Sequence, residues 1–185
     1  VYKRQPLTIP MSISNIASGA IAIKFGLLGS SFSITSACAS STHCVGEAYR
    51  NIKDGYSDII FAGGSEASIC EFGISSFQSL TALSKSEDRN RASIPFDLNR
   101  NGFVMGEGAG VLILEDLESA LKRGAKIYCE IVGYGTTSDA YHITSPCPDG
   151  NGAYRCMRDA MADAGVNCTE ISYINAPVSY THLTL

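Results

Sequence analysis

Apolar and polar positions change their spacing several times along this chain, and each change marks an element. Residues 15–26 are mostly Ala and Ile with Ser18 and Gly19 among them, which predicts a helix packed closely on a neighbour and stopped by Gly26. Residues 31–36 (SFSITS) alternate and are rich in β-formers, so a strand is expected there. From Cys38 onward Val45, Ala48, Tyr49 and Ile52 recur at i, i+3, i+4 and i+7 up to Gly55, which predicts strand, sharp turn, helix. Residues 58–64 (DIIFAGG) form a short continuous apolar run ending in paired glycines, the pattern of a strand covered on both faces.

A second run, VLIL within 106–115 (GEGAGVLILE), predicts another central strand entered through three glycines. Asp116 is placed to cap a short helix that turns Leu117, Ala120 and Leu121 inward and stops at Gly124, and residues 127–134 return as a strand. Asn151 is expected to cap a last helix with Ala153, Cys156, Met157, Ala160 and Ala164 on one stripe before Gly165, and 171–175 read as the strand that follows. Strands alternating with helices predict an α/β fold with a mixed or mostly parallel sheet.

Composition narrows the function without naming it. A chain of 185 residues that is 45% apolar and 17% charged builds a core rather than a disordered tail. A net charge of −4 with scattered Lys and Arg offers no basic field for nucleic acid or anionic membrane, so neither is expected as a partner. No apolar run has the length of a membrane span and the first residues do not resemble a secretory signal, so the expected compartment is the cytoplasm. The seven cysteines are odd in number and irregularly spaced, and are expected to be reduced, buried thiols. No C-x-x-C pair occurs and the three histidines stand far apart, so no structural metal is expected.

Cys38 is the candidate for chemistry. A cysteine between a strand and the start of a helix points into a crevice at the sheet end, where backbone N–H groups and the positive helix end favour a thiolate. Its neighbours in TSACASST are small, which leaves room for a substrate to reach the sulfur. The other six cysteines read as buried hydrophobes. His43, one turn into the helix, reads as a packed, hydrogen-bonded residue rather than a base, because its spacing from Cys38 points it elsewhere. Glu107 and Asp97 read as structural partners for backbone or arginine.

The segment SITSACASSTHCVGEAYRNIKDGYSDIIFAGGSEA resembles the active-site region of the β-ketoacyl-acyl-carrier-protein synthases, nearest to the bacterial type II elongation enzyme. The blocks IPMSISNIASGAIAIKFGLLGSSFSITSAC and IPFDLNRNGFVMGEGAGVLILEDLESALKRGAKIYCEIVGYGTTSDAYHITSP agree with the same family, so the resemblance covers 6–176 continuously. It implies a thiolase-like layered αβαβα fold, present here as most of the N-terminal half and the start of the C-terminal half, and a homodimer. It also implies acyl transfer from acyl carrier protein to Cys38, then decarboxylative Claisen condensation with a malonyl thioester. No cofactor is implied beyond the phosphopantetheine of the carrier.

Residue by residue, the resemblance implies that Ile69, Phe72 and Phe77 line the acyl tunnel beside the dimer partner. Asp139, His142 and Thr144, in DAYHITS, would stand near the pantetheine entrance; the other reading of that stretch is a plain connection. The family continues after YINA with His-Gly-Thr, whereas this chain has Pro177 and then VSYTHLTL; His182 is not at the matching position and receives no catalytic role. Residues 1–5 and 177–185 are expected to be non-native flanks, and the chain as written to be inactive and poorly soluble. The alternatives are a polyketide ketosynthase, a condensing enzyme for coenzyme A thioesters, or a non-catalytic partner like a chain-length factor. Retention of Cys38 argues against the last.

Overall fold

A computed structural model describes residues 6–143 and 145–176. Its helices are α1 (Thr8–Ser12), α2 (Ile16–Phe25), α3 (Ser40–Lys53), α4 (Glu71–Ser79), α5 (Leu117–Lys122) and α6 (Asn151–Ala164), with strands β1 (Ile59–Glu66) and β2 (Gly108–Glu115). The strands pair antiparallel from Ile59 with Glu115 to Glu66 with Gly108. This corrects the mixed or mostly parallel sheet expected from the alternation of elements. The expected strands at 31–36, 127–134 and 171–175 form no ladder. A ladder needs a neighbouring backbone, and local apolar pattern says nothing about whether one is present.

The segment 131–136 nonetheless has two alternating faces. A Cβ added to Gly133 would overlap the Ala160 carbonyl and the Ala164 side chain, and one on Gly135 would overlap the backbone of Cys156 and Ala160. Gly133 and Gly135 therefore lie directly on α6. Between them Tyr134 points the other way, its ring filling the place of the missing side chain at Gly46 on α3. Instead of a ladder partner, the Tyr134 N–H has the Asp163 carboxylate at 3.0 Å.

On its other side α3 meets β1. Gly64 has no room for a Cβ because the Ser41 side chain, in the first turn of α3, occupies it. Phe61, of opposite parity on β1, makes an edge contact with Phe25 at the end of α2, ring centroids 5.5 Å apart. The order through the molecule is thus α2, sheet, α3, the extended segment, α6. This αβαβα sequence of layers is the one the family resemblance implies.

Several termini follow their local chemistry. Gly26 and Gly165 end α2 and α6 in the left-handed region at φ 65° and 68°. Asp116 caps α5 by accepting from the Ser119 N–H at 3.0 Å. Asn151 is not the cap of α6: Gly150 (φ 67°) holds that position, and the Asn151 N–H donates to Asp149 at 2.8 Å. The cysteines are free, but not buried as expected: Cys38, Cys70, Cys129 and Cys168 are exposed and Cys44, Cys147 and Cys156 half-buried. Cys70 caps α4, a helix that periodicity did not predict, its sulfur accepting from the Gly73 N–H at 3.5 Å.

Candidate active site

Cys38 is exposed at the middle of a single 3-10 turn, Ala37–Ala39, that runs straight into α3. Ala37, just before it, has φ 49°. A non-glycine residue there costs roughly 1–2 kcal/mol, so the surroundings must hold the turn. Three hydrogen bonds do so: Ala39 N–H to the Ser36 carbonyl (3.1 Å), Ser36 N–H to Ser40 Oγ (2.8 Å), and the Ser40 hydroxyl to the Ala37 carbonyl (2.7 Å). The turn leaves Cys38 exposed at the positive end of a helix of 14 residues. That arrangement suits a thiol nucleophile open to an incoming thioester.

His43 stands behind the turn. Its Nδ1 is 2.6 Å from the Ser36 hydroxyl and its Nε2 is 3.1 Å from the Thr136 hydroxyl. Tyr134 meets its ring edge-on, centroids 6.3 Å apart. The imidazole is therefore committed on both nitrogens, in accord with its reading as a hydrogen-bonded structural residue. Farther along the same face of α3, the Tyr49 hydroxyl donates to the Val132 carbonyl (3.0 Å), Arg50 lies over the Tyr134 ring (4.6 Å) and Lys53 reaches Asp163 (2.6 Å). One face of the Cys38 helix is given over to the 131–136 segment and α6.

The candidate substrate residues divide. Ile69 and Phe72 are exposed, Phe72 at 81%, and free to line an apolar surface. Phe77 is half-buried and makes an edge contact with Phe103 at 5.2 Å. Asp139 accepts from the Cys147 N–H at 2.9 Å and fills the space beside Gly152, so its carboxylate holds the 139–152 loop together. His142 Nδ1 accepts from the Ser145 N–H at 3.1 Å, and residues 138–143 line a shallow open depression. Thr144, His182 and the two presumed flanks, 1–5 and 177–185, lie outside the described residues.

Glu107 and Asp97 have the structural roles expected of them. Glu107 accepts from the Ile69 N–H at 2.8 Å, and Asp97 accepts from the Asn99 N–H at 2.8 Å and from Arg91 at 3.2 Å. The Asn99 N–H foremost, with Arg91 behind it, holds the Asp97 carboxyl below its ordinary range. The Thr136 contact escaped sequence reasoning, because no local signal ties a threonine to a histidine 93 positions earlier.

Comparison with known proteins gives this geometry a family. Residues 2–120 match the description "Beta-ketoacyl synthase, N-terminal domain", and 128–184 match "Beta-ketoacyl synthase, C-terminal domain". The chain is 51% identical over 172 residues to 3-oxoacyl-(acyl-carrier-protein) synthase 2 of Synechocystis sp., covering 92% of this chain and 41% of the relative. It is 47% identical over 173 residues to the protein of the same name from Rhizobium meliloti, covering 92% and 41%. Among solved structures, a type II PKS ketosynthase, determined with its acyl-carrier protein and bound to the hexaketide, superposes with a TM-score of 0.91 at 39% identity, covering 95% of this chain and 43% of that one. A β-ketoacyl synthase from Burkholderia phymatum gives 0.80 at 36% identity, covering 88% and 39%. The chain spans about two fifths of the length of the curated relatives it matches. With the layer order and both halves of the match in agreement, the chain belongs to the β-ketoacyl synthase family.

Proposed function

We propose that the protein containing this segment is a 3-oxoacyl-acyl-carrier-protein synthase of fatty-acid elongation, with Cys38 as the acyl acceptor. The observation that carries the reading is Cys38 itself, exposed at the head of α3 directly after Ala37, whose φ is 49°. In the first half-reaction the Cys38 thiolate attacks the thioester carbonyl of an acylated carrier protein. A new C–S bond forms, the old C–S bond breaks, and the pantetheine thiolate leaves and takes up the proton that the Cys38 thiol gave up on ionising. In the second, a malonyl thioester loses CO2 and its carbanion attacks the acyl group on Cys38, releasing the cysteine and a 3-oxoacyl chain two carbons longer.

The names of the curated relatives support the fatty-acid reading, and the carrier protein bound in the polyketide ketosynthase structure supports acyl carrier protein as the partner. Ile69 and Phe72 would contact the acyl chain. Asp139 would hold the loop by which His142 and Thr144 meet the pantetheine arm. Among the described residues no helix is long and apolar enough to cross a membrane; the reading places the protein in the cytoplasm. The reading needs no cofactor of the enzyme's own, and it takes the enzyme as a homodimer.

The test uses a completed synthase in which residues 6–176 replace the matching stretch of the Synechocystis relative. It is treated with an epoxide inhibitor of condensing enzymes of the cerulenin kind and mapped by mass spectrometry. Adducts confined to Cys38, together with loss of condensation in Cys38→Ala, are expected. Adducts spread over several cysteines, or full activity of Cys38→Ala, would overturn the assignment. A second reading, a polyketide ketosynthase, draws on the 0.91 superposition; turnover with a polyketide carrier protein and none with a fatty-acid carrier protein would select it.

A further inference from the structure

The geometry points to His43 as a positioning residue that sets the Cys38 turn from the second half of the fold, by bridging Ser36 to Thr136. This inference rests on the acyl-acceptor role proposed for Cys38.

The linkage can be followed atom by atom. Thr136 lies in the stretch that matches the C-terminal family domain, and Ser36 and His43 lie in the N-terminal one. The Thr136 hydroxyl holds Nε2 at 3.1 Å and the Ser36 hydroxyl holds Nδ1 at 2.6 Å. Ser36 in turn supplies the carbonyl that closes the turn on Ala39 and the N–H that engages Ser40. Ser40 closes the remaining side on the Ala37 carbonyl. Between those contacts sits Ala37 at φ 49°, a conformation an alanine does not keep unaided, and the next residue is Cys38.

Neutral imidazole donates through one nitrogen and accepts at the other, and a serine or threonine hydroxyl can do either, so the bridge closes in both tautomers. The ring is also fixed in direction. Tyr134 stands edge-on to it, and that tyrosine is itself held by Gly46, Arg50 and the Asp163 bond to its N–H. His43 therefore reports the place of the 131–136 segment to the turn that carries the sulfur. It does not touch the reacting atoms, and acts on them only through Ser36.

The far end of the bridge offers the cleanest test, because Thr136 is remote from Cys38 in sequence. In the completed synthase, Thr136→Val keeps the shape and removes the hydroxyl, Thr136→Ser keeps the hydroxyl, and His43→Leu removes both bonds. The readouts are the rate at which iodoacetamide alkylates Cys38, the rate of acyl transfer from an octanoyl thioester of carrier protein, the KM for that thioester, and the melting temperature. Thr136→Val is expected to slow both reactions of Cys38 roughly tenfold, equal to about 1.4 kcal/mol of activation free energy, with KM unchanged. Thr136→Ser is expected to restore them, and His43→Leu to slow them at least as much as Thr136→Val.

Equal rates in the valine and wild-type proteins would overturn the inference. So would slowing that follows melting temperature across the three variants instead of the presence of the hydroxyl. Should Thr136→Val not fold, His43→Gln, which keeps a polar atom near the Nε2 position, takes its place beside His43→Leu, and equal rates in those two would also overturn it. A wild-type protein that is not acylated at Cys38 would instead overturn the proposed function.

Discussion

Ser41 and Gly64 show how a single missing side chain sets the place of the candidate nucleophile. The Ser41 side chain, three positions beyond Cys38, occupies the space a Cβ would need on Gly64, so the strand can approach the first turn of α3 only because that residue is glycine. Gly64→Ala should cost about 1–3 kcal/mol as overpacking and lower the melting temperature of the completed synthase. Because the contact lies in the first turn of α3, the alkylation rate of Cys38 should change as well. Adding Ser41→Ala removes the closest atom and should recover most of both; a double variant no better than Gly64→Ala alone would place the cost elsewhere. At this scale the sequence was legible where chemistry was local. The place of Cys38 at the head of a helix, the Asp116 cap and the stops at Gly26 and Gly165 were read from neighbours in the chain. The roles of Asp139 and Thr136 were not, since their partners Cys147, Gly152 and His43 are brought to them by folding.

Among the elements, α3 and α6 are joined by a polar clamp across the extended segment. Lys53 and the Tyr134 N–H both donate to Asp163, at 2.6 and 3.0 Å, and Lys53 also reaches the Tyr49 hydroxyl at 2.8 Å. The Lys53 hydrogen bond first, and the Tyr134 N–H second, hold the Asp163 carboxyl below its usual range. A carboxyl lowered in the folded state adds stability above its unfolded value of about 3.9, and that stability is lost as pH falls through the lower folded value. Urea midpoints of the completed synthase should therefore exceed those of Asp163→Asn near neutral pH, with the gap closing below about pH 4. A gap that stays constant down to acid pH would show that the clamp acts by packing alone. A second element-scale expectation concerns α5, only six residues long and capped by Asp116: Asp116→Ala should cost about 1 kcal/mol in the same urea titration. The Glu115–Arg123 pair also ties that helix back to β2, at 2.9 and 3.1 Å from Nε and 2.5 Å from Nη2. Because it is independent of the cap, α5 should remain formed by amide hydrogen exchange.

The whole molecule exposes more apolar surface than a closed domain of its size. Its accessible surface is 14564 Å², against about 8,600 Å² expected for a compact monomer of this mass. Val111, Leu112 and Ile113 are 47%, 54% and 63% exposed, so β2 is bare on both faces, and Ile23 on α2 is 86% exposed. A continuous apolar strand of this kind is suited to being covered on both sides. The 185-residue chain by itself should therefore bind a hydrophobic dye strongly, self-associate and fail to condense acyl groups, whereas the completed synthase should do none of the first two and should carry activity. A monomeric, dye-silent chain in sedimentation and fluorescence would contradict the exposed β2 surface. The sequence by itself determined the family, the α/β class, the place of Cys38 at the head of a helix and the stops at Gly26 and Gly165, because turns, caps and periodicity are written in residues a few positions apart. Tertiary structure alone decided which apolar runs found a ladder partner, that β1 and β2 run antiparallel, and that Gly133 and Gly135 face α6 while Tyr134 and Thr136 face α3. Those outcomes depend on which surfaces meet across the fold, and a residue carries no local mark of a neighbour that only folding supplies.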